Sequence, residues 1–242
     1  MLTCSFSVLL NNAPLPNVCP CPRGSSFSKY PTRPICTCMC RHDLVLIALA
    51  DKPDWFLQMS PSGKVPMLLN EGAKLIESDL IMRFVDELRG ADAQLLTVCG
   101  IDKFNETLVL TSKYYKAAHT ILFKKAYSAE DEATFRSTCD ELNKLIKGDY
   151  LAGDQLSLAD FVLFPMLDRL EVIMNQLTTH AAPDHVVEWS AVEAETCDWS
   201  VLASYLLRMR QLPDVAAFRQ PTRIQSMFAE SMRLGAPNPD IV

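Results

Sequence analysis

Cysteine is the residue whose distribution first points to chemistry. Six of the nine cysteines, Cys4, Cys19, Cys21, Cys36, Cys38 and Cys40, lie in the first 40 residues. Cys19-Pro20-Cys21-Pro22 and the run Cys36, Cys38, Cys40 set thiols one residue apart. Common zinc modules space their pairs as C-x2-C, so this pattern fits a thiol-rich coil and no metal site is assigned. A thiol attacks disulfides as its thiolate, which a helix N-terminus or a neighbouring cation stabilises. No helical sequence follows Cys19, so nothing nearby draws it below the free value of about 8.5. Cys99, Cys139 and Cys197 stand singly in helix-like sequence, the total is odd, and no basic leader precedes an apolar run. Reduced thiols in a cytoplasmic chain are the expectation.

Four polar positions and one dipeptide carry the remaining chemistry. Lys52 precedes Pro53 at the entry to a short helix, and Glu77-Ser78 opens another. A helix N-terminus attracts anions, and the same residues serve equally well as plain caps. Lys52 reads as a point charge for a carboxylate or as an ordinary exposed lysine. Val65-Pro66 precedes a short strand, and a cis proline there would present the Val65 backbone to a ligand; a trans edge proline is the other reading. Arg169 has Asp168, Glu171 and a facing helix as candidate ion-pair partners.

The elements that must position these groups change character along the chain. The 242 residues are 49% hydrophobic and 21% charged, ordinary globular composition that excludes general disorder. The net charge of −6 argues against a nucleic-acid partner, and no apolar run is long enough to span a bilayer, so membrane insertion is not expected. Residues 1–42 alone carry a formal +4 with no acid, and six prolines fall in the first 40. This segment reads as irregular, with one strand at Thr3–Leu10. Then follow a strand at Leu44–Leu49, a short helix starting at Pro53, a hairpin of Val65–Leu69 with Lys74–Ile76, and an amphipathic helix from Glu77. Past Gly100 only helices are expected: 103–127, 130–146, a kinked 158–174 carrying Pro165, 201–211, 213–219 and 222–234. Ser157-Leu158-Ala159-Asp160 forms a capping box, and Asp160 is given no chemistry. The order is a small α/β unit and then an all-α unit, with the boundary between Arg89 and Cys99.

That order, with these residues, resembles the cytosolic glutathione transferases, and among them the omega class. The resemblance rests on Arg41-His42-Asp43-Leu44-Val45 leading to Lys52-Pro53-Asp54-Trp55-Phe56, and on Gly63-Lys64-Val65-Pro66 with Glu77-Ser78. It rests also on Leu151-Ala152-Gly153-Asp154, Ser157–Asp160 and Asp168-Arg169-Leu170-Glu171. It implies a divergent segment at 1–40, a thioredoxin-like glutathione-binding domain at 41–90 and an all-helical C-terminal domain at 100–242. It implies glutathione as cosubstrate, with Lys52 on the glycyl carboxylate, Val65-Pro66 on the cysteinyl backbone, and Glu77 and Ser78 on the γ-glutamyl ammonium and carboxylate. Arg169 would line the acceptor pocket, and two copies would form a homodimer.

The chain departs from the family at its start. Omega-like enzymes carry Cys-Pro at the end of the first strand and the start of a helix. Counting back from His42 puts that position near Ser25, and the nearest match is Cys19-Pro20. Cys19, then Cys21, are the expected nucleophiles of a thiol transferase or dehydroascorbate reductase working through a mixed disulfide. The alternative is a catalytically impaired binding protein on the same scaffold. The last helix carries Gln225 and Met232 where the family has aromatic acceptor-site residues.

Overall fold

A computed structural model describes residues 7–11, 43–47, 51–178 and 199–237, with side chains included except at 7–11, 43, 44 and 46. The chain separates into two compact units, Met1–Gln94 and Leu95–Val242.

The first unit is built on four strands: β1 (Ser7–Asn11), β2 (Asp43–Leu46), β3 (Met67–Asn70) and β4 (Ala73–Leu75). Their order is β2-β1-β3-β4. The expected strand at Thr3–Leu10 therefore forms, shifted toward Asn11, and fills the place between β2 and β3. It runs antiparallel to β2, with Leu10 opposite Asp43, and parallel to β3, with Val8 opposite Met67. β3 and β4 are joined by Glu71 and Gly72, both at positive φ (49° and 86°), a two-residue turn whose twist suits a hairpin. Helix α1 (Asp54–Met59) starts one residue later than expected, because Pro53 has an extended ψ of 146° and serves as the N-cap. Its carbonyl accepts from the Phe56 and Leu57 amides at 2.9 and 3.2 Å. Phe56 packs with Ile47 and Met67 into a core bordered by Val45, Met59, Val65 and Leu69. Helix α2 (Ser78–Glu87) buries Ile81.

The second unit contains α3 (Leu95–Phe123), α4 (Ala129–Leu145), α5 (Leu158–Leu167), α6 (Leu170–Thr178), α7 (Ser200–Gln211), α8 (Pro213–Ala216) and α9 (Thr222–Arg233). An α/β unit followed by helices is the fold class the sequence implied. α3 begins eight residues before the expected start at Lys103 because Gly100, at φ 73° and ψ 161°, interrupts the periodicity and hides the first turn. α5 is buried around most of its circumference, as its uniform apolarity implied. The Ser157 amide and hydroxyl both donate to Asp160, at 2.8 and 2.7 Å, and Asp160 also accepts from the Leu151 amide at 2.9 Å.

The expected single kinked helix over 158–174 is instead two helices broken at Asp168 and Arg169. The Pro165 carbonyl, which the next turn would normally engage, accepts from the Arg169 guanidinium at 2.6 Å. The turn is held further by Asp168. That buried carboxylate accepts from Arg210 Nε at 2.7 Å, Arg219 Nε at 2.9 Å and Gln225 Nε2 at 2.6 Å. Arg210 also pairs with the fully buried Glu171 at 2.7 Å.

Candidate functional site

Strand direction decides what the first unit can gather in one place. β1 and β3 run one way, β2 and β4 the other. The C-terminal ends of β2 and β4 and the N-terminal end of β3 therefore share one end of the sheet. The residues leaving or entering there are Lys52 after β2, Val65 and Pro66 before β3, and Glu77 and Ser78 after β4. Five residues spread over 27 positions of sequence are brought to a common edge by topology alone.

Local contacts tighten that edge. The turn Ser60–Lys64 is held by the Gly63 amide on the Ser60 carbonyl at 2.7 Å, and by the Ser60 hydroxyl donating to the Lys64 carbonyl at 3.3 Å. Gly63 sits at φ 61°, and the stem of Lys52 crosses it: a Cβ at Gly63 would meet Lys52 Cδ at 3.6 Å. Val65-Pro66 is a cis peptide bond, the first of the two readings the sequence left open. Val65 is half-buried against the core while the chain at this point stays accessible.

At the start of α2 the plain-cap reading can be checked. Glu77 holds the N-cap position, and its side chain makes no capping hydrogen bond. The carboxylate points instead to Lys64, with Nζ 3.8 Å from Oε1, and both groups are exposed. The first-turn amides of α2, beginning with exposed Ser78, supply the partial positive charge of a helix N-terminus. The edge thus offers a lysine from the β2–α1 connection, an accessible strand entry, and an acid–base pair beside a helix N-terminus.

The Lys64–Glu77 pair is not visible in the sequence, where Pro61–Lys64 shows turn chemistry alone.

Arg169, in the second unit, donates to the Pro165 carbonyl and thereby joins the α5–α6 turn. Gln225 is tied to Asp168 and to the Gln220 carbonyl at 2.9 Å. Of the two non-aromatic positions in the last helix, this one has a structural duty.

Cys19 and Cys21 lie outside the described residues. What is described is the strand that leads to them. β1 ends at Asn11, beside Asn70, at the far end of the sheet from Val65. Among the described cysteines, Cys139 is fully buried, and burial, then the charge of Asp140, pushes its thiol far above the ordinary value. It is no nucleophile. No helix among the described residues is long and apolar enough to cross a membrane.

Residues 38–93 match the family described as "Glutathione S-transferase, N-terminal domain", and residues 125–192 match "Glutathione S-transferase, C-terminal domain". The chain is 29% identical over 145 residues to "Probable glutathione S-transferase DHAR2, chloroplastic" of Oryza sativa subsp. japonica, covering 59% of this chain and 51% of that protein. It is 27% identical over 207 residues to "Probable glutathione transferase omega-2" of Caenorhabditis briggsae, covering 82% and 78%. The solved structure of glutathione transferase Omega 2C from Trametes versicolor superposes with a TM-score of 0.60 at 22% identity, over 77% of this chain and 84% of that one. The chain spans about half the length of the rice relative.

Proposed function

The chain belongs to the glutathione transferase family, and from that premise we propose a glutathione-dependent thiol transferase and dehydroascorbate reductase of omega type. The observation that supports this best is the common sheet edge. Lys52, Val65, Pro66, Glu77 and Ser78 follow or precede strand ends on that side, and an extended γ-glutamyl tripeptide carries a group complementary to each. Lys52 takes the glycyl carboxylate as a point charge. The Val65 backbone pairs with the cysteinyl residue as an added strand would. Glu77 takes the γ-glutamyl ammonium, and the Ser78 hydroxyl and the α2 N-terminus take its carboxylate.

The chemistry is thiol–disulfide exchange. A protein thiolate attacks the glutathionyl sulfur of a mixed disulfide, forms a protein–glutathione disulfide and expels the substrate as its thiolate. A glutathione thiolate then attacks that bond, yielding glutathione disulfide and the free protein thiolate. Dehydroascorbate carries no disulfide: the protein thiolate adds to one of its carbonyl carbons, a first glutathione thiolate attacks the sulfur of that adduct to form the protein–glutathione disulfide and release ascorbate, and a second glutathione thiolate displaces the protein thiolate as glutathione disulfide. Cys19 is the proposed nucleophile and Cys21 the second choice. Arg169 is proposed to line the acceptor side. The working form is proposed to be a cytoplasmic homodimer.

One observation favours a second reading, a glutathione-binding protein without turnover. β1, the strand that precedes Cys19 and Cys21, ends on the side of the sheet opposite Val65.

The test is glutathione-dependent reduction of a small glutathionyl mixed disulfide by the purified chain at neutral pH, with retention on immobilised glutathione measured in parallel. Turnover that Cys19→Ser abolishes supports the enzyme and its nucleophile. Turnover surviving both Cys19→Ser and Cys21→Ser moves the nucleophile elsewhere. Retention lost in Glu77→Ala, with no turnover in the parent chain, supports the binding protein. A folded parent chain that ignores the column refutes both.

A further inference from the structure

Tyr114 is fully buried in the second unit and Thr111 is 7% exposed, and neither hydroxyl has a hydrogen-bond partner among the described residues. Both lie on α3, three residues apart, and so on one face of the helix. We propose that the Thr111 and Tyr114 hydroxyls share an internal hydration site, an ordered water that bridges them as part of the folded unit. The site goes beyond the glutathione chemistry and does not depend on it.

Thr111 departs from the other buried threonines of α3 and α4. Thr107 and Thr138 each donate to the carbonyl four residues back, at 2.8 Å. Thr111 has the same option on the Thr107 carbonyl and does not take it, so its hydroxyl is not engaged by its own backbone. Tyr114 shows a similar surplus. A buried tyrosine hydroxyl ordinarily finds a partner. Here the ring packs on Phe135 of α4, with centroids 5.9 Å apart, and the hydroxyl is left over. A long helical side chain leans back over the preceding turn, so the Tyr114 ring extends along the turn that carries Thr111. Each hydroxyl both donates and accepts, which lets one water serve the two. A buried water needs about two to four polar partners, and the pair supplies that minimum.

The surroundings select water over an ion. Burial pushes the Tyr114 phenol well above its usual range, so it stays protonated and able to donate. The Arg169 guanidinium and the Asp168 carboxylate both act on it, in opposite senses. An ion of either sign would be buried near one like charge, and burying a charge costs far more than burying a neutral group.

The test combines calorimetric unfolding of the full chain with a high-resolution crystal structure. Tyr114→Phe and Thr111→Val nearly keep the shapes and remove one hydroxyl each. Thr107→Val, which loses a hydroxyl already satisfied by its own helix, is the reference. Each of the first two should lower the unfolding midpoint by at least about 2 °C and by more than the reference, because the other hydroxyl is left stranded. The double variant should fall no further than the worse single one, since both changes disrupt the same bridge. Density for one water about 2.7–3.0 Å from both oxygens of the parent, gone in the double variant, is the matching crystallographic result. A midpoint unchanged or raised in Tyr114→Phe overturns the proposal, because deleting a dry, unpaired hydroxyl removes a desolvation cost. Additive losses, or no water between the two oxygens of the parent, overturn it as well.

Discussion

Asp168 should be the costliest single polar residue to neutralise in the second unit. It is 6% exposed and accepts from three donors carried by α7, the α8–α9 connection and α9, at 2.7, 2.9 and 2.6 Å. Asp168→Asn keeps the shape and removes the charge. Two guanidiniums, Arg210 and Arg219, then sit in a site only 8% and 13% exposed, with one fewer anion between them. Breaking a buried pair by removing one partner costs about 3–5 kcal/mol, because the remaining charge is left uncompensated. Pairwise sums would exceed this, since the three bonds share one carboxylate and are not additive. For a unit of this size, each kcal/mol moves the midpoint by about 2–4 °C, so the expected fall is roughly 6–20 °C. Calorimetry should show it, and hydrogen exchange should accelerate first in peptides from α6, α7 and α9, the helices the carboxylate ties together. The double variant Asp168→Asn with Arg219→Met removes one of the two cations that shared the carboxylate and should recover part of the loss, giving a coupling of about 0.5–3 kcal/mol. A single variant within about 1 kcal/mol of the parent, or strictly additive losses in the double variant, would refute the reasoning.

Three further outcomes follow from the same structure. The Asp131 carboxyl is held below the usual range by hydrogen bonds from the Ser128 backbone and then its hydroxyl, so the start of α4 gains stability above the unfolded carboxyl value of about 3.9 and loses it as pH falls through the lower folded value. Ser128→Ala should flatten that acid-side dependence in α4 exchange rates, and an unchanged profile would disprove the capping role. Cys139 should resist iodoacetamide at neutral pH until denaturant is added while half-buried Cys99 labels first, and equal native rates at the two would contradict the burial argument. Gly63→Ala has room for its Cβ beside Lys52 but forces a left-handed residue, at about 1–2 kcal/mol, so it should destabilise the first unit and weaken retention on glutathione; normal retention and stability would sink this.

What the sequence made legible was local or periodic. Helical spacing located α4, α7 and α9 to within one or two residues, and Ser157 with Asp160 announced a capping box because its partners are three residues apart. The equivalent signal at Ser128 and Asp131 was present and went unread, since the helix was started at Glu130. The edge residues Lys52, Glu77 and Ser78 were found through motif resemblance, and nothing in their spacing alone requires them to meet. Lys64 on Glu77, and Gln225 on Asp168 across 57 residues, depend on how distant segments pack, which periodicity does not encode. The break at Asp168–Arg169 belongs to the same class. A proline marks the weak point, but the anchor that sets the turn comes from three later elements.

The sheet also constrains how the cysteine-bearing segment can serve the site. β1 occupies an interior place, so the segment that carries it is structural whatever its thiols do: without β1, β2 would lose its only neighbour in the sheet order and β3 would become an edge. The stretch from Asn11 to Asp43 begins and ends on adjacent strands, since Leu10 pairs with Asp43. Both ends are fixed at the side of the sheet remote from Val65, roughly 15 Å away at the ordinary rise per residue. Cys19 lies eight residues beyond Asn11, and eight extended residues reach about 27 Å. That reach exceeds the distance to Val65, so chain length alone does not bar Cys19 from the proposed ligand edge. The proposed binding and the proposed catalysis are thus separable by experiment. The groups proposed to read glutathione stand at strand ends and one helix start, whereas the proposed nucleophiles follow a strand that ends on the other side of the sheet.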